Sequence, residues 1–498
     1  MSGTFDQSKR QVIPRWLSYH ASNALQLLSS ESSSRSTLSR TRAGLSAQEK
    51  WQNDNNLSHA VDFVGEAIVI SDFDNAQALD AAKFILTNVS SEKKHVRALA
   101  KHYVDPRDDI SEDDQFAVKT DPINSRISSL KSRTATHPID PISWADLSLL
   151  YAIAGSRSKS IRCMSVALGL SKGNRFVLRS AARCFVHFGE PDRALDIIRK
   201  SAQCKSDPWI AASEIAIAES AGLKNRCLRP GRQLVANDNL SQFSRSELAA
   251  TISTLELAHG SSRKAKVFMR KALLEPTENS LAQAEWMAAN LSSSPTVELE
   301  EYPASYEARA QHYYHLKDYD RTIQAARLWA DFQPLSSRPL AQASFIASVV
   351  LNDDSRSISL LRDSALVRQF DPILTNNYAF ALMRQGRISE ASELLRRIDK
   401  RSLPLREQLI LSATNGLLAF KQGNPEQGRD LYSLSVKGLD GLGEYRGAAI
   451  AKCFWAIAEI DSESDFAKAT SADAMKRVKK QKMTELDVYT NMLKNANP

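Results

Sequence analysis

Two successive stretches decide the fold: residues 140–170, DPISWADLSLLYAIAGSRSKSIRCMSVALGL, and residues 177–203, VLRSAARCFVHFGEPDRALDIIRKSAQ. In each stretch apolar residues recur every three or four positions, stop at a glycine and then resume. This is the pattern of two amphipathic helices joined by a tight turn. Trp144 and Leu178 lie 34 residues apart, and so do Gly155 and Gly189. A helix–turn–helix unit that recurs at such a period predicts a stack of helix hairpins.

The same pattern returns nearer the C-terminus. It is found in 306–334, YEARAQHYYHLKDYDRTIQAARLWADFQP, in 376–398, NNYAFALMRQGRISEASELLRRI, and in 415–436, NGLLAFKQGNPEQGRDLYSLSV. On these residues the chain resembles tetratricopeptide repeat (TPR) proteins, over about two-thirds of its length. The resemblance implies an all-α fold, an α-solenoid of antiparallel helix hairpins, with a concave groove lined by the first helix of each pair. Small residues such as Ala194 and Ala391 then lie where paired helices approach closely.

Composition agrees with a helical, soluble protein. Only 18 glycines and 17 prolines occur among 498 residues, which suits long helices with short turns better than a β-rich fold. The net charge of +8 is a mild excess that permits an anionic partner without requiring one. The longest apolar run, 345–351, is too short to span a membrane, and the N-terminus shows no secretion signal.

The cysteines point to a reducing compartment. They number five, an odd count, and no two form a C-x-x-C motif, so neither a zinc site nor a disulfide framework is predicted. We therefore expect a cytoplasmic protein that does not associate with membranes.

Four zones are predicted along the chain. Residues 1–58 contain a flexible serine-rich stretch at 29–40. Residues 59–138 form a helical region, with helices near 59–70 and 75–89 and an acidic loop at 105–115. Residues 139–461 form the TPR-like repeat array. Residues 462–498 form a basic C-terminal helix that includes KRVKKQK at 476–482.

No catalytic, cofactor-binding or metal-binding residues are predicted. The sequence contains no G-x-x-x-x-G-K-[ST], H-E-x-x-H or G-x-S-x-G motif. The glycine cluster KGLDGLGEYRG at 437–447 follows a helical repeat and is better interpreted as a helix end and a loop than as a phosphate cradle. His312 and His315 lie three residues apart, a spacing that can bind a metal, but no carboxylate or cysteine near them in sequence completes a site.

Groove-facing positions follow from the repeat register. They mix cations, amides and aromatics, a set that suits a peptide with acidic groups because guanidinium groups pair with carboxylates and amides hold an extended backbone. The alternative is that they are ordinary solvated faces. The predicted groove residues are Arg179, Arg183, His187, Gln311, Tyr314, His315, Asn376, Asn377, Phe380, Arg384, Phe420 and Lys421.

Three functions remain open at this point. The first is a non-catalytic scaffold or adaptor that binds a protein partner through the groove. The second is a nucleic-acid-associated helical-repeat subunit of a bacterial effector or regulatory complex, which the basic clusters at 226–232, 263–271 and 476–482 would serve. These clusters lack interleaved aromatics, which favours solvated helix faces. The third is an enzyme with an unrecognised domain within 1–138.

Overall fold

The computed structural model describes residues 47–69, 75–89, 94–104, 112–291, 297–302 and 304–496, and these ranges contain no β-strand. The serine-rich stretch 29–40 and residues 105–111 of the acidic loop lie outside them. Contacts divide the described chain into two compact units, residues 47–172 and residues 173–496, at a point further along than the boundary predicted at 138/139.

The first unit contains α1 (Ala47–Asn53), α2 (Leu57–Val69), α3 (Ala76–Asn88), α4 (Lys94–Val104), α5 (Glu112–Thr136), α6 (Pro141–Ile153) and α7 (Arg157–Leu170). The two helices predicted in 59–89 are confirmed as α2 and α3. Helices α1 and α4 were not predicted. The second half of the predicted acidic loop, from Glu112 onward, belongs to α5, because acidic residues are favoured in the first turn of a helix.

The second unit contains α8 (Arg175–His187), α9 (Pro191–Lys200), α10 (Pro208–Ser220), α11 (Leu228–Ala236), α12 (Gln242–Ala258), α13 (Ser262–Ala272), α14 (Glu278–Leu291), α15 (Tyr306–His315), α16 (Tyr319–Phe332), α17 (Arg338–Phe345), α18 (Asp354–Leu361), α19 (Ala365–Arg368), α20 (Pro372–Arg384), α21 (Ile388–Arg396), α22 (Leu405–Lys421), α23 (Pro425–Gly441), α24 (Tyr445–Asp461), α25 (Ala467–Lys480) and α26 (Asp487–Ala496). A π-helical segment, Ile346–Val350, continues α17, and a short 3-10 turn, Thr484–Leu486, precedes α26.

Helix hairpins build this second unit. The pairs are α8/α9, α10/α11, α12/α13, α15/α16, α17/α18, α20/α21, α22/α23 and α24/α25. In each pair we call the helix that comes first in the chain the first helix and the other the second helix. Helix α14, which is in none of these pairs, is counted as a first helix. First helices also contact the first helices next to them, as α10 does α12 and α22 does α24. Contacts within hairpins and between adjacent hairpins are those of an α-solenoid of TPR-like antiparallel hairpins, as the sequence predicts.

A left-handed residue follows the first helix in all eight of these hairpins. Gly189 has φ +76° and Gly386 has φ +79°, which confirms both as turn glycines. Behind Gly189 the backbone N–H of Glu190 reaches back to the carbonyl of Phe185 at 2.7 Å, which caps α8. After α15 the same place is taken by Lys317, with φ +60°. This hairpin was therefore predicted from the aromatic and small residues of 306–334 and not from a turn glycine.

Close helix approach explains the small residues. Ala194 and Ala391 are fully buried, as predicted. The closest crossing joins α22 to α23, where a Cβ atom added at Gly428 would lie 2.4 Å from Cδ2 of Phe420. One at Gly416 would lie 2.8 Å from Cδ2 of Tyr432. The two helices can meet at this distance only because both positions lack a side chain.

All five cysteines are free and buried. Cys204 and Cys227, however, place their Sγ atoms 2.7 Å apart, although they are 23 residues apart in sequence. Their proximity comes from the connection between α9 and α10 packing against the start of α11, which motif spacing cannot reveal. None of the helices in the described ranges is long and apolar enough to cross a membrane.

Candidate partner-binding groove

All twelve predicted groove residues lie on first helices. Three lie on α8, three on α15, four on α20 and two on α22. The repeat register derived from the sequence therefore assigns them to the correct member of each hairpin. What the register does not give is their exposure, and here the structure differs from the prediction.

Five of the twelve are buried and line no open groove: Gln311, Asn376, Asn377, Phe380 and Phe420. Phe380 on α20 packs edge-on against Phe454 on α24, two first helices away, with ring centroids 4.9 Å apart. Asn377 donates from Nδ2 to the Ser344 hydroxyl on α17 at 3.1 Å. The prediction that these side chains face an open groove is wrong, because Asn377 and Phe380 pack against other hairpins and Phe420 packs within its own.

Arg179 is already paired within the chain. Its Nη2 lies 2.8 Å from the buried carboxylate of Glu247 on α12, and its guanidinium stacks on the Trp209 ring of α10 at 4.7 Å. The Arg179–Glu247 ion pair joins α8 to α12, two first helices that are separated by α10. The positive charge predicted to receive an acidic partner is thus neutralised internally.

Arg183 and His187 lie half-buried near the end of α8. Burial, and secondarily the positive charge of Arg183, lower the pKa of His187 to about 4. The imidazole is therefore neutral at physiological pH and adds no charge to this surface.

The end of α15 is more open. His315 is exposed, and Leu316, in the turn that follows, is 64% exposed despite its apolar side chain. Tyr314 is half-buried, and burial raises its pKa to about 12. His312 is paired with Glu285 of α14 at 3.6 Å, a carboxylate that is distant in sequence. No group of three or more metal-ligating side chains occurs among the residues that the structure describes.

The two α22 residues point in different directions. Phe420 packs against Tyr432 of its own hairpin partner α23, so it belongs to the hairpin core. Lys421 is exposed and pairs with Asp461 at the end of α24, Nζ to Oδ2 2.9 Å.

A C-terminal segment that the sequence did not connect with the groove lies across the first helices. Tyr489 of α26 is buried, and its hydroxyl donates to the Ser348 carbonyl at 2.9 Å while accepting from Nη1 of Arg384 at 2.8 Å. Its ring packs against Phe454 with centroids 5.0 Å apart. These partners belong to the π-helical continuation of α17, to α20 and to α24. We call this site, formed by Ser348, Asn352, Arg384, Arg446 and Phe454, the helix-docking groove.

Arg384 is the centre of this groove. Its Nε lies 3.1 Å from the buried carboxylate of Asp354, and it also bonds to the Asn352 side chain. Burial raises the pKa of Asp354, and the guanidinium acts against that rise. Like Arg179, Arg384 carries its own counter-ion within the chain.

A smaller recess lies between the start of α20 and the start of α22. It encloses about 250 Å³, open solvent included, and its lining is apolar apart from Asn376 and Glu407. Neither amide atom of the buried Asn376 has a hydrogen-bond partner. A second recess of about 450 Å³, open solvent included, lies between α20, α22, α23 and α24 and is lined by Phe380 and Phe454 among others.

The basic clusters lie on the second helices or beside them. The five cations of α13 are exposed, as are Arg229 and Arg232 of α11. In the C-terminal cluster Arg477 is tied to Asp440 at 2.8 Å and to Asp473 at 3.2 Å, while four lysines around it are exposed.

Comparison with known proteins gives weak similarity only. No protein-family model and no curated protein matches the sequence. The crystal structure of yeast Tom70 is similar at 15% identity and a TM-score of 0.31, covering 82% of this chain and 96% of that chain. The structure of Naa15/Naa10 bound to HypK-THB is similar at 10% identity and a TM-score of 0.24, covering 88% of this chain and 78% of that chain. At such scores the fold assignment rests on the helix pairs described above.

Proposed function

We propose that this protein is a non-catalytic scaffold of TPR-like hairpins that binds a protein partner along its first helices. One observation supports the proposal: the first helices already hold a helical segment, α26, through one buried tyrosine and its hydrogen bonds to Ser348 and Arg384. A surface that holds one amphipathic helix has the shape and chemistry for another. The free, buried cysteines suit a reducing compartment, and we assign the protein to the cytoplasm.

The chemistry of the groove refines the expected partner. Because Arg179 and Arg384 are paired with Glu247 and Asp354, the acidic peptide suggested by the sequence would have to displace internal carboxylates. Apolar side chains and hydroxyl groups face no such competition. Lys317 contacts Thr484, just before α26, with Nζ 3.1 Å from Oγ1. The exposed Leu316 precedes Lys317 in the chain and therefore adds apolar surface beside the same groove.

The test is capture of partners by the full-length chain and by two charge variants. His315→Glu combined with Leu316→Glu alters two exposed residues at the end of α15, and it should lower recovery of a specific partner at least tenfold. The melting temperature should barely change, because exposed substitutions cost little stability.

Arg263→Glu combined with Lys271→Glu is the matched control. It introduces two acidic residues on the exposed face of the second helix α13, away from the first helices. Recovery of the partner should match that of the parent chain. A partner lost with the α13 variant and retained with the α15 variant would contradict binding along the first helices.

A nucleic-acid-associated subunit remains the second candidate, and one observation favours it. Helix α13 exposes five cations, which are Arg263, Lys264, Lys266, Arg270 and Lys271. Binding to random RNA or DNA that falls steeply with salt, and that the α13 variant abolishes, would support this candidate. Affinity that is negligible at physiological salt would exclude it.

A further inference from the structure

The docked C-terminal segment has a simple contact pattern. Leu486, at the end of the 3-10 turn, and Tyr489 and Leu493, on one face of α26, are all buried. The opposite face is exposed and includes Val488 at 45% and Met492 at 49%. The segment is therefore a 3-10 turn and an amphipathic helix, and α26 contacts both the first helix α24 and the second helix α25.

Polar contacts fix the segment at its N-terminal end. Thr484 accepts a hydrogen bond from Lys317 at 3.1 Å, and Glu485 forms an ion pair with Arg446 at the start of α24. Burial raises the pKa of Tyr489, so its hydroxyl stays protonated and able to donate to the Ser348 carbonyl. Its position in the groove thus depends on specific polar partners as well as on apolar burial.

The segment lies beyond the last hairpin, α24/α25. It follows α25 through a turn at Lys482 with φ +52°. Helix α26 has only ten residues, too few to be stable as an isolated helix in water. Its folding is therefore coupled to docking, and the groove supplies the stability.

We propose that Thr484–Ala496 is an intramolecular competitor for the helix-docking groove, and that the partner contributes a helix of the same chemistry, Leu-x-x-Tyr-x-x-x-Leu. The inference rests on the proposed function and names both the partner class and the regulation of that site. In the free chain α26 closes the groove. A partner helix must displace it, so the apparent affinity for the partner falls by the fraction of molecules in which the groove is open.

The experiment uses the full-length chain and a fluorescent peptide of residues 483–496, MTELDVYTNMLKNA, as the probe. The parent chain should bind the probe weakly, because its own segment competes. The released variant Tyr489→Ala combined with Leu493→Ala should bind it at least tenfold more tightly. A control peptide with Tyr489→Ala should not bind, and adding Arg384→Ala to the released variant should abolish binding of the intact probe.

Two further measurements keep the outcome decisive. If the released variant melts far below the parent, the milder Tyr489→Phe is measured instead, and tighter probe binding than the parent is again expected. Amide exchange in the unaltered chain should show α26 opening at least tenfold more often than α24. Failure of the probe to bind either variant, or exchange of α26 as slow as that of α24, would overturn the inference.

The two proposals fail separately. If a natural partner is captured through the α15 surface while the probe binds no variant, the scaffold function stands and the competitor does not. If the probe binds the released variant while no partner depends on the α15 surface, the groove accepts this helix but the scaffold function is wrong.

Discussion

Replacing Gly428 by alanine tests the closest helix crossing in the array. The new Cβ atom would lie 2.4 Å from Cδ2 and 2.7 Å from Cε2 of Phe420, and 3.1 Å from the Gly416 carbonyl oxygen. Carbon atoms in van der Waals contact stay about 3.5–4.0 Å apart. Either α22 and α23 separate by about an ångström or Phe420 leaves its position in the hairpin core.

The expected cost follows from two opposing terms. Overpacking of this kind costs about 1–3 kcal/mol. Alanine in place of glycine inside a helix stabilises the folded chain by about 0.5–1 kcal/mol. Gly441→Ala, at the end of the same helix α23, is the matched control, since a Cβ atom there has nothing within 4 Å. Relative to this control, Gly428→Ala should therefore lose about 1–3 kcal/mol.

Amide hydrogen exchange is the suitable assay, because a long repeat array does not unfold in a single cooperative step. A loss of about 1–3 kcal/mol in the local opening free energy corresponds to exchange about 5- to 150-fold faster in α22 and α23. Amides of α8 and α9 should be unaffected. If the Gly428→Ala and Gly441→Ala chains exchange at equal rates in α22, the close crossing of these helices is wrong.

Three further predictions concern packing, pH and thiol chemistry. Ala391→Leu should overpack the fully buried helix contact and cost about 1–3 kcal/mol, visible as a lowered melting temperature; an unchanged melt would contradict the repeat register. Burial tends to raise the pKa of Glu459, but hydrogen bonds led by that from Arg429 outweigh it and lower the pKa below 4.5. The stability that the Glu459 carboxylate contributes is thus present above pH 4.5 and lost as pH falls through the lowered pKa. Glu459→Gln should therefore make the free energy of unfolding depend less steeply on pH in the acid range. A dependence as steep as that of the parent chain would refute this prediction. A thiol oxidant should join Cys204 to Cys227 and protect both from alkylation; their continued labelling after oxidation would contradict the 2.7 Å approach of the two sulfurs.

The local part of the fold could be predicted from the sequence because hairpins are local. The turn positions of Gly189 and Gly386 have φ above zero, which favours glycine, and the close helix contact at Ala391 favours a small residue. Both residue types therefore recur along the sequence with the period of the repeat. The hairpin that turns at Lys317 was predicted from its aromatic and small residues instead, because a lysine occupies the left-handed position.

The candidate site could be predicted only in part, because exposure depends on how successive hairpins pack together. A repeat period assigns Phe380 and Arg179 to first helices but does not give the angles between successive hairpins. Those angles bring Phe454 and Glu247 over them, from two first helices away. The contact of Tyr489 with Ser348 joins residues 141 positions apart, and no periodic signal extends across that distance.

The most direct measurement for the central claim is photo-crosslinking from two exposed apolar positions. A photoreactive amino acid would replace Leu316, 64% exposed at the end of the first helix α15, or Val267, 47% exposed on the second helix α13. If partners bind along the first helices, the chain labelled at 316 crosslinks to a specific partner and the chain labelled at 267 does not. A specific crosslink from position 267 with none from position 316 would contradict the account.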